Sequence, residues 1–184
     1  VDKISLNDIQ KGSINGKNPS SQKIAYILGM TTITHHIERY EAGHKPSPAQ
    51  KQGIVDFLFT HLDEYGDPKA HILKCLDYAV QDIDSPGGFA LTIGSGGVIK
   101  GAVIVNRTGM GGYIPENILV YIAVDQQYRG QGLGKALMEK AIATAEGDIA
   151  LHVEANNPAK GLYEKLGFTN PYLEMRLKRT AKND

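Results

Sequence analysis

The sequence holds a single cysteine, Cys75, and no tryptophan among its 184 residues. One thiol excludes any intramolecular disulfide and fits a reducing compartment, so a cytoplasmic location is expected. Neither sign of charge is in excess: Lys+Arg and Asp+Glu both number 20, and the formal net charge is +0. A balanced chain has no bulk attraction for polyanions, so neither nucleic acid nor an anionic membrane is an expected partner. No apolar run approaches the roughly 18 residues that a membrane span requires. The opening residues, VDKISLNDIQ, lack the apolar stretch of a secretory signal. What is present is 41% hydrophobic, enough for a true core, and the length suits one domain or one domain plus an extension.

Residues 1–30 read as an appended segment, polar and turn-rich, with a helical look only in QKIAYILGM. The main domain is expected over 31–184. TTITHHIERYE has the β-branched content of a strand. SPAQ (47–50) is a capping box with proline at the first helical position. Ile54, Phe57, Leu58 and Leu62 follow at helical spacing. A second helix after Asp67-Pro68 carries Ile72, Cys75, Leu76 and Ala79. FALTI (89–93) and VIKGAVIVN (98–106) predict an antiparallel hairpin. ENILVYIAV (116–124) is almost continuously apolar, as a strand covered on both faces would be. A helix bearing Leu133, Leu137, Ala141 and Ala145 comes next, then a strand in DIALHVE (148–154). Asn157-Pro158 opens a helix that Gly167 ends. YLEMRLKR reads as a final strand and TAKND as a frayed tail. The order predicts an α/β protein of the α+β type, with a mixed, largely antiparallel sheet flanked by helices.

The unusual stretch is QQYRGQGLGKAL (126–137), where three glycines stand against the start of a helix. Each costs an adjoining helix up to about 1 kcal/mol against alanine. A turn without a ligand accounts for one glycine better than for Gly130, Gly132 and Gly134 together. A Walker P-loop is disfavoured: three residues rather than four separate Gly130 from Gly134, and Ala136 stands where the Mg²⁺-binding hydroxyl belongs. The dinucleotide fingerprint G-x-G-x-x-G fails at Lys135. Backbone amides at a helix N-terminus bind anions, and glycines allow close approach.

Gln127-Tyr128-Arg129-Gly130-Gln131-Gly132 fits the Q/R-x-x-G-x-G/A motif of the GNAT superfamily of acyl-CoA-dependent N-acyltransferases. The run from Asn156 to Phe168, NNPAKGLYEKLGF, resembles its second signature, N-x-x-A-x-x-x-Y…GF. The resemblance spans roughly residues 34–178 and includes the element order. It implies an N-acetyltransferase that moves an acetyl group from acetyl-CoA to a primary amine by direct attack in a ternary complex, without a metal. By the same resemblance, the cofactor lies against Ile122, Val124, Gln127, Arg129, Gly130, Gln131, Gly132, Leu133, Gly134, Lys135, Asn156 and Tyr163. Backbone groups at Ile122–Val124 would pair with the pantetheine arm as an added strand does. Tyr163 would protonate the departing thiolate, and Glu116 or a water would take the proton of the amine. His152 is a second candidate base.

Each role has a plainer reading. Ile122 and Val124 also suit core packing, Tyr163 the apolar face of its helix, Glu116 a solvated strand end, and Asn157 a helix cap. Cys75 reads as core, which argues against an acyl-cysteine. His35 and His36 would face opposite sides of a strand, giving no metal site. Asp63, Glu64 and Asp67 link the first two helices and would suit a cationic acceptor. A non-catalytic acyl-CoA-binding module would keep the glycine loop without needing Tyr163. The acceptor itself is not legible, and residues 1–30 could cover its site or mediate a homodimer.

Overall fold

The structure, a computed structural model, describes residues 23–28 and 31–177. The expectations for residues 1–22 and for the tail TAKND lie outside the described residues. Six strands form one sheet in sequential order: β1 Lys23–Leu28, β2 Thr31–Tyr40, β3 Gly88–Ser95, β4 Val98–Arg107, β5 Asn117–Val124 and β6 Ile149–Leu151. Every pairing is antiparallel except the last, β5 with β6. Helices α1 Pro48–His61 and α2 Lys69–Ala79 lie between β2 and β3, α3 Leu133–Thr144 between β5 and β6, and α4 Lys160–Lys165 after β6. None of these helices is long and apolar enough to cross a membrane among the described residues. The mixed, largely antiparallel sheet with flanking helices is the one the element order predicts.

Two apolar clusters cover the two faces. Ile54, Leu58, Ile72 and Leu76 of α1 and α2 pack with Ala90, Ala102, Ile104 and Tyr121. Leu133, Leu137 and Met138 of α3 pack with Leu91, Val103, Leu119 and Tyr163 on the opposite face. The capping box forms: Gln50 N donates to Ser47 Oγ at 3.3 Å and Ser47 N to Gln50 Oε1 at 2.9 Å. The apolar spacing of α1 and α2 thus faces the sheet as its periodicity dictates.

Five local expectations are corrected. The helical look of QKIAYILGM gives way to β1, paired in register from Lys23↔His36 to Leu28↔Thr31. Ile24, Tyr26 and Leu28 also alternate, and cross-strand pairing decides between the two periods. β5 is not covered on both faces: burial alternates along it and Val120 is 37% exposed. The predicted strand 148–154 is reduced to Ile149–Leu151, and residues 172–177 of the predicted final strand form no strand and are exposed throughout. Helix α4 starts at Lys160 rather than at Pro158, because the Asn157 side chain closes a turn first, accepting from Ala159 N at 2.9 Å.

Candidate acyl-transfer site

The site is built on the place where β5 loses a neighbour. β6 pairs only with Asn117–Leu119. On the other side, Ile104 lies opposite Tyr121 and Val105 opposite Leu119, so Val120 is an extra, bulged residue. A bulge bends a strand and ends pairing, and from Val120 to Val124 the outer edge of β5 has no strand beside it among the described residues. The phase of the ladder then fixes which main-chain groups are free. Asp125 N donates to the Lys100 carbonyl at 2.9 Å, so Tyr121, Ala123 and Asp125 direct their peptide groups toward β4. Those of Ile122 and Val124 point to the open edge. Consistently, the outward Val124 carbonyl is reached by a side chain, accepting from Arg129 Nε at 3.1 Å.

The glycine loop continues directly from that edge. The Asp125 carboxylate accepts from Gln127 N at 2.9 Å and starts a single 3-10 turn over Gln126–Tyr128. The Tyr128 and Arg129 amides close that turn on Asp125 and Gln126. Beyond it the chain takes left-handed conformations at Gly130 (φ 77°) and Gly132 (φ 84°), which L-residues enter only at a cost. Gly132 caps α3 without any side-chain bond. The amides from Gly130 to Lys135 therefore have no hydrogen-bond partner among the described residues. The donor row starts at Gly130, because the Arg129 amide is used by the turn. Gly134 differs from the other two. Its φ is ordinary, and a Cβ there would lie 3.6 Å from both Leu162 Cδ2 and Val124 Cγ2. The end of β5, the start of α3 and the start of α4 thus converge at Gly134.

That convergence brings Tyr163 to the same end of the sheet. The phenol is 7% exposed and packs in the cluster that Ile122 and Val124 border. Phe168 meets it edge to face at 6.0 Å. Its hydroxyl makes no hydrogen bond among the described residues, and burial raises its pKa. A neutral, proton-bearing phenol is the state a general acid needs. Gln127, Gln131, Leu133 and Lys135 belong to the loop and first turn, with Leu133 buried in the core and Lys135 paired with Glu139 at 3.6 Å. Asn156 and His152 are exposed.

Glu116 is not brought to this place. It precedes β5, about eight strand residues or ~26 Å from Val124. Its carboxylate accepts from Asp148 N at 2.8 Å and Gly112 N at 3.2 Å, and these amides hold its pKa below the ordinary range. It lines a pocket of about 390 Å³ with Arg107 and Glu146 at the opposite end of the strand. The acidic link is also engaged: Asp63 pairs with Arg129 at 3.5 Å, and Asp67 accepts from the Tyr121 hydroxyl at 2.6 Å. Arg129 thereby joins the loop to the turn after α1, where its guanidinium also donates to the His61 carbonyl at 3.3 Å. The Cys75 thiol accepts from Asn106 Nδ2 at 3.3 Å, and burial pushes its pKa up to about 12. A thiol held so firmly protonated is a poor nucleophile. Lys100 is a residue that motif reading missed. It is 6% exposed, with Nζ 4.3 Å from the Tyr128 ring centroid, placing a cation beneath the loop. Its signal is a lone lysine inside the apolar run VIKGAVIVN.

Residues 87–170 match the family described as Acetyltransferase (GNAT) domain. Among curated proteins, a 5-NmdU N-acetyltransferase of Pseudomonas phage PaMx11 is 42% identical over 57 residues, which is 30% of this chain and 41% of that protein. The chain therefore aligns with about two fifths of that relative's length. Two solved structures have the same fold. The aminoglycoside N-acetyltransferase AAC(6')-Iy in complex with CoA superposes with a TM-score of 0.59 at 15% identity, over 83% of this chain and 99% of that one. A GCN5-related N-acetyltransferase from Ralstonia eutropha JMP134 superposes with 0.57 at 16% identity, over 79% and 98%.

Proposed function

From a chain that carries a GNAT acetyltransferase domain over residues 87–170, we propose an N-acetyltransferase that uses acetyl-CoA as donor and a primary amine as acceptor. The observation that carries this reading is continuous: an open strand edge, with the Ile122 peptide groups and the Val124 amide directed outward and the Val124 carbonyl held by Arg129, runs into amides from Gly130 to Lys135 that have no hydrogen-bond partner among the described residues. A ligand with an extended amide-bearing arm and a pyrophosphate matches both halves. The arm would pair with the edge, and the pyrophosphate would lie on the amides at the positive end of α3. Lys100 beneath the loop adds charge of the fitting sign.

When bound, the donor supplies an activated thioester. This chain's residues then have three tasks. The outward Ile122 amide is available to hydrogen-bond a carbonyl oxygen, stabilising negative charge there. Tyr163 holds a proton on Oη for a departing sulfur. The amine, with an ordinary pKa near 10.4, must lose a proton, at a cost of about 4–5 kcal/mol at pH 7. We assign that step to water, since the Glu116 carboxylate is bound to two amides at the far end of β5. The relative's name ends in N-acetyltransferase, which supports a nitrogen acceptor. Arg129 already pairs with Asp63, so a cationic acceptor would find its charge partners chiefly at Glu64 and Asp67, whose carboxylates face no cationic side chain among the ion pairs of the described residues.

Release of free thiol from acetyl-CoA across a panel of primary amines tests the reading. Turnover with at least one amine is expected, and Tyr163→Phe should lose it while keeping acetyl-CoA affinity. Acetyl-CoA binding with no thiol release for any amine would favour the non-catalytic module instead.

A further inference from the structure

The cavity of about 390 Å³ at the start of β5 takes no part in the transfer chemistry. Arg107, Glu116, Asn117 and Glu146 supply its polar groups. Glu116 shapes it. Its carboxylate accepts from Gly112 N at 3.2 Å and Asp148 N at 2.8 Å, and so ties the loop after β4 to the turn before β6. A Cβ on Gly147, at φ 82°, would lie 2.5 Å from Glu116 Oε2. The turn therefore closes on the carboxylate only because that residue is glycine.

Three polar groups on its wall are left over. Arg107 and Asn117 stand opposite each other in the β4–β5 ladder, which puts their side chains on one face. The Arg107 backbone is fixed: its amide donates to the Gly87 carbonyl at 2.8 Å, and its carbonyl accepts from the Tyr78 hydroxyl at 2.9 Å. Its guanidinium makes no hydrogen bond or ion pair among the described residues. Asn117 is 2% exposed. Its Nδ2 donates to the Glu146 and Asp148 carbonyls at 2.7 and 3.2 Å, while Oδ1 accepts from no group among the described residues. The Glu146 carboxylate is equally unpaired. Arg107 and Glu146 line one cavity without forming an ion pair, so their charged atoms stand more than 4.0 Å apart.

We propose that this cavity binds a free α-amino acid. The ligand's carboxylate lies on the Arg107 guanidinium, two N–H groups to two oxygens, and its ammonium donates to Asn117 Oδ1 and to the Glu146 carboxylate. Opposite charges held apart on one wall suit a molecule that carries both. One arginine faces two glutamates across the lining, so the cavity repels a polyanion, and a simple amine would leave Arg107 unpaired. Among the described residues no group of His, Cys, Asp or Glu is placed to hold a metal ion. The volume falls near the low end of small-molecule pockets, about 300–1,000 Å³. The length of β5, ~26 Å, separates this cavity from Val124, so it is a second site and not the acceptor's. Its occupant braces β4, β5 and the turn before β6 at the root of the strand whose far end is proposed to hold the donor.

Thermal unfolding without acetyl-CoA tests the proposal, with each proteinogenic L-amino acid added in turn at millimolar concentration. At least one should raise Tm, as a ligand of the folded state does. Its N-acetyl derivative and its methyl ester, each lacking one of the two charges, should not. Arg107→Gln and Glu146→Gln change exposed, unpaired side chains, so both variants should keep the parent Tm without ligand and the parent affinity for acetyl-CoA. Each should bind the amino acid about tenfold or more weakly. The proposal is overturned if no amino acid raises Tm above the value with its N-acetyl derivative. It is equally overturned if the shift survives in either variant, or if acetyl-CoA displaces the amino acid, which would put that ligand at the transfer site. The readout needs no acetyl transfer, so its failure and the failure of the transferase reading are distinct.

Discussion

Replacing Gly130 and Gly134 separately with alanine should have opposite effects, although both belong to one motif. Gly130 sits at φ 77° with nothing within 4 Å of an added Cβ. The cost of Gly130→Ala is therefore conformational, about 1–2 kcal/mol for an L-residue in the left-handed region. For a chain of this size that corresponds to a fall in Tm of roughly 2–8 °C. Its methyl would also stand on the open side of the loop, where the pyrophosphate is proposed to lie, so acetyl-CoA affinity should drop about tenfold or more, or 1.4 kcal/mol. Gly134 has ordinary helical geometry, and its Cβ would meet Leu162 and Val124 at van der Waals distance. Gly134→Ala should raise stability by up to about 1 kcal/mol, with affinity unchanged within about twofold. Thermal unfolding and calorimetric titration with acetyl-CoA read both quantities. The reasoning fails if Gly134→Ala loses stability, or if Gly130→Ala keeps both the Tm and the affinity of the parent protein.

Tyr163→Phe should lower kcat by about a hundredfold or more with little change in acetyl-CoA dissociation, measured by steady-state kinetics and titration. Because burial raises the pKa of Tyr163, its contribution to stability is complete below the unfolded value near 10 and is lost as pH rises through the higher folded value. Alkaline unfolding of Tyr163→Phe should lack that loss. Glu116 has the opposite sign. Its folded pKa lies below 4.5, so its contribution is present above that value and disappears as pH falls through the folded pKa. Glu116→Gln should flatten acid unfolding and leave kcat within a few-fold of the parent; a collapse of kcat with intact folding would return Glu116 to the role of base. Arg129→Ala should change stability by less than about 1 kcal/mol, since its ion pair with Asp63 is exposed, and should alter the acceptor KM if the turn after α1 borders the acceptor.

The parts of the fold that follow local rules were legible in the sequence. The capping box of α1, the apolar faces of the first three helices and the β3–β4 hairpin each depend on residues within a few positions of one another. Where pairing between distant segments decides, the sequence misleads. QKIAYILGM carries both helical and alternating periods, and β2 selects the strand. DIALHVE has strand composition over seven residues, yet three are paired, because the Val120 bulge turns β5 away and the outer edge has no neighbour among the described residues. The loop was readable from Gly130 and Gly132, whose left-handed conformations leave the α3 amides free. Arg129 was not: its contacts with Val124, His61 and Asp63 are tertiary. Nor could spacing tell that Glu116, adjacent to β5 in sequence, is spent on the amides of Gly112 and Asp148.

The central claim is that the unpaired amides from Gly130 to Lys135 and the open edge at Ile122–Val124 hold acetyl-CoA. Calorimetric titration of the protein with acetyl-CoA, with ATP run in parallel, tests it most directly. Micromolar binding of acetyl-CoA at one site per chain, with no comparable binding of ATP, is the predicted result. Binding of ATP alone, or of neither ligand, would contradict it.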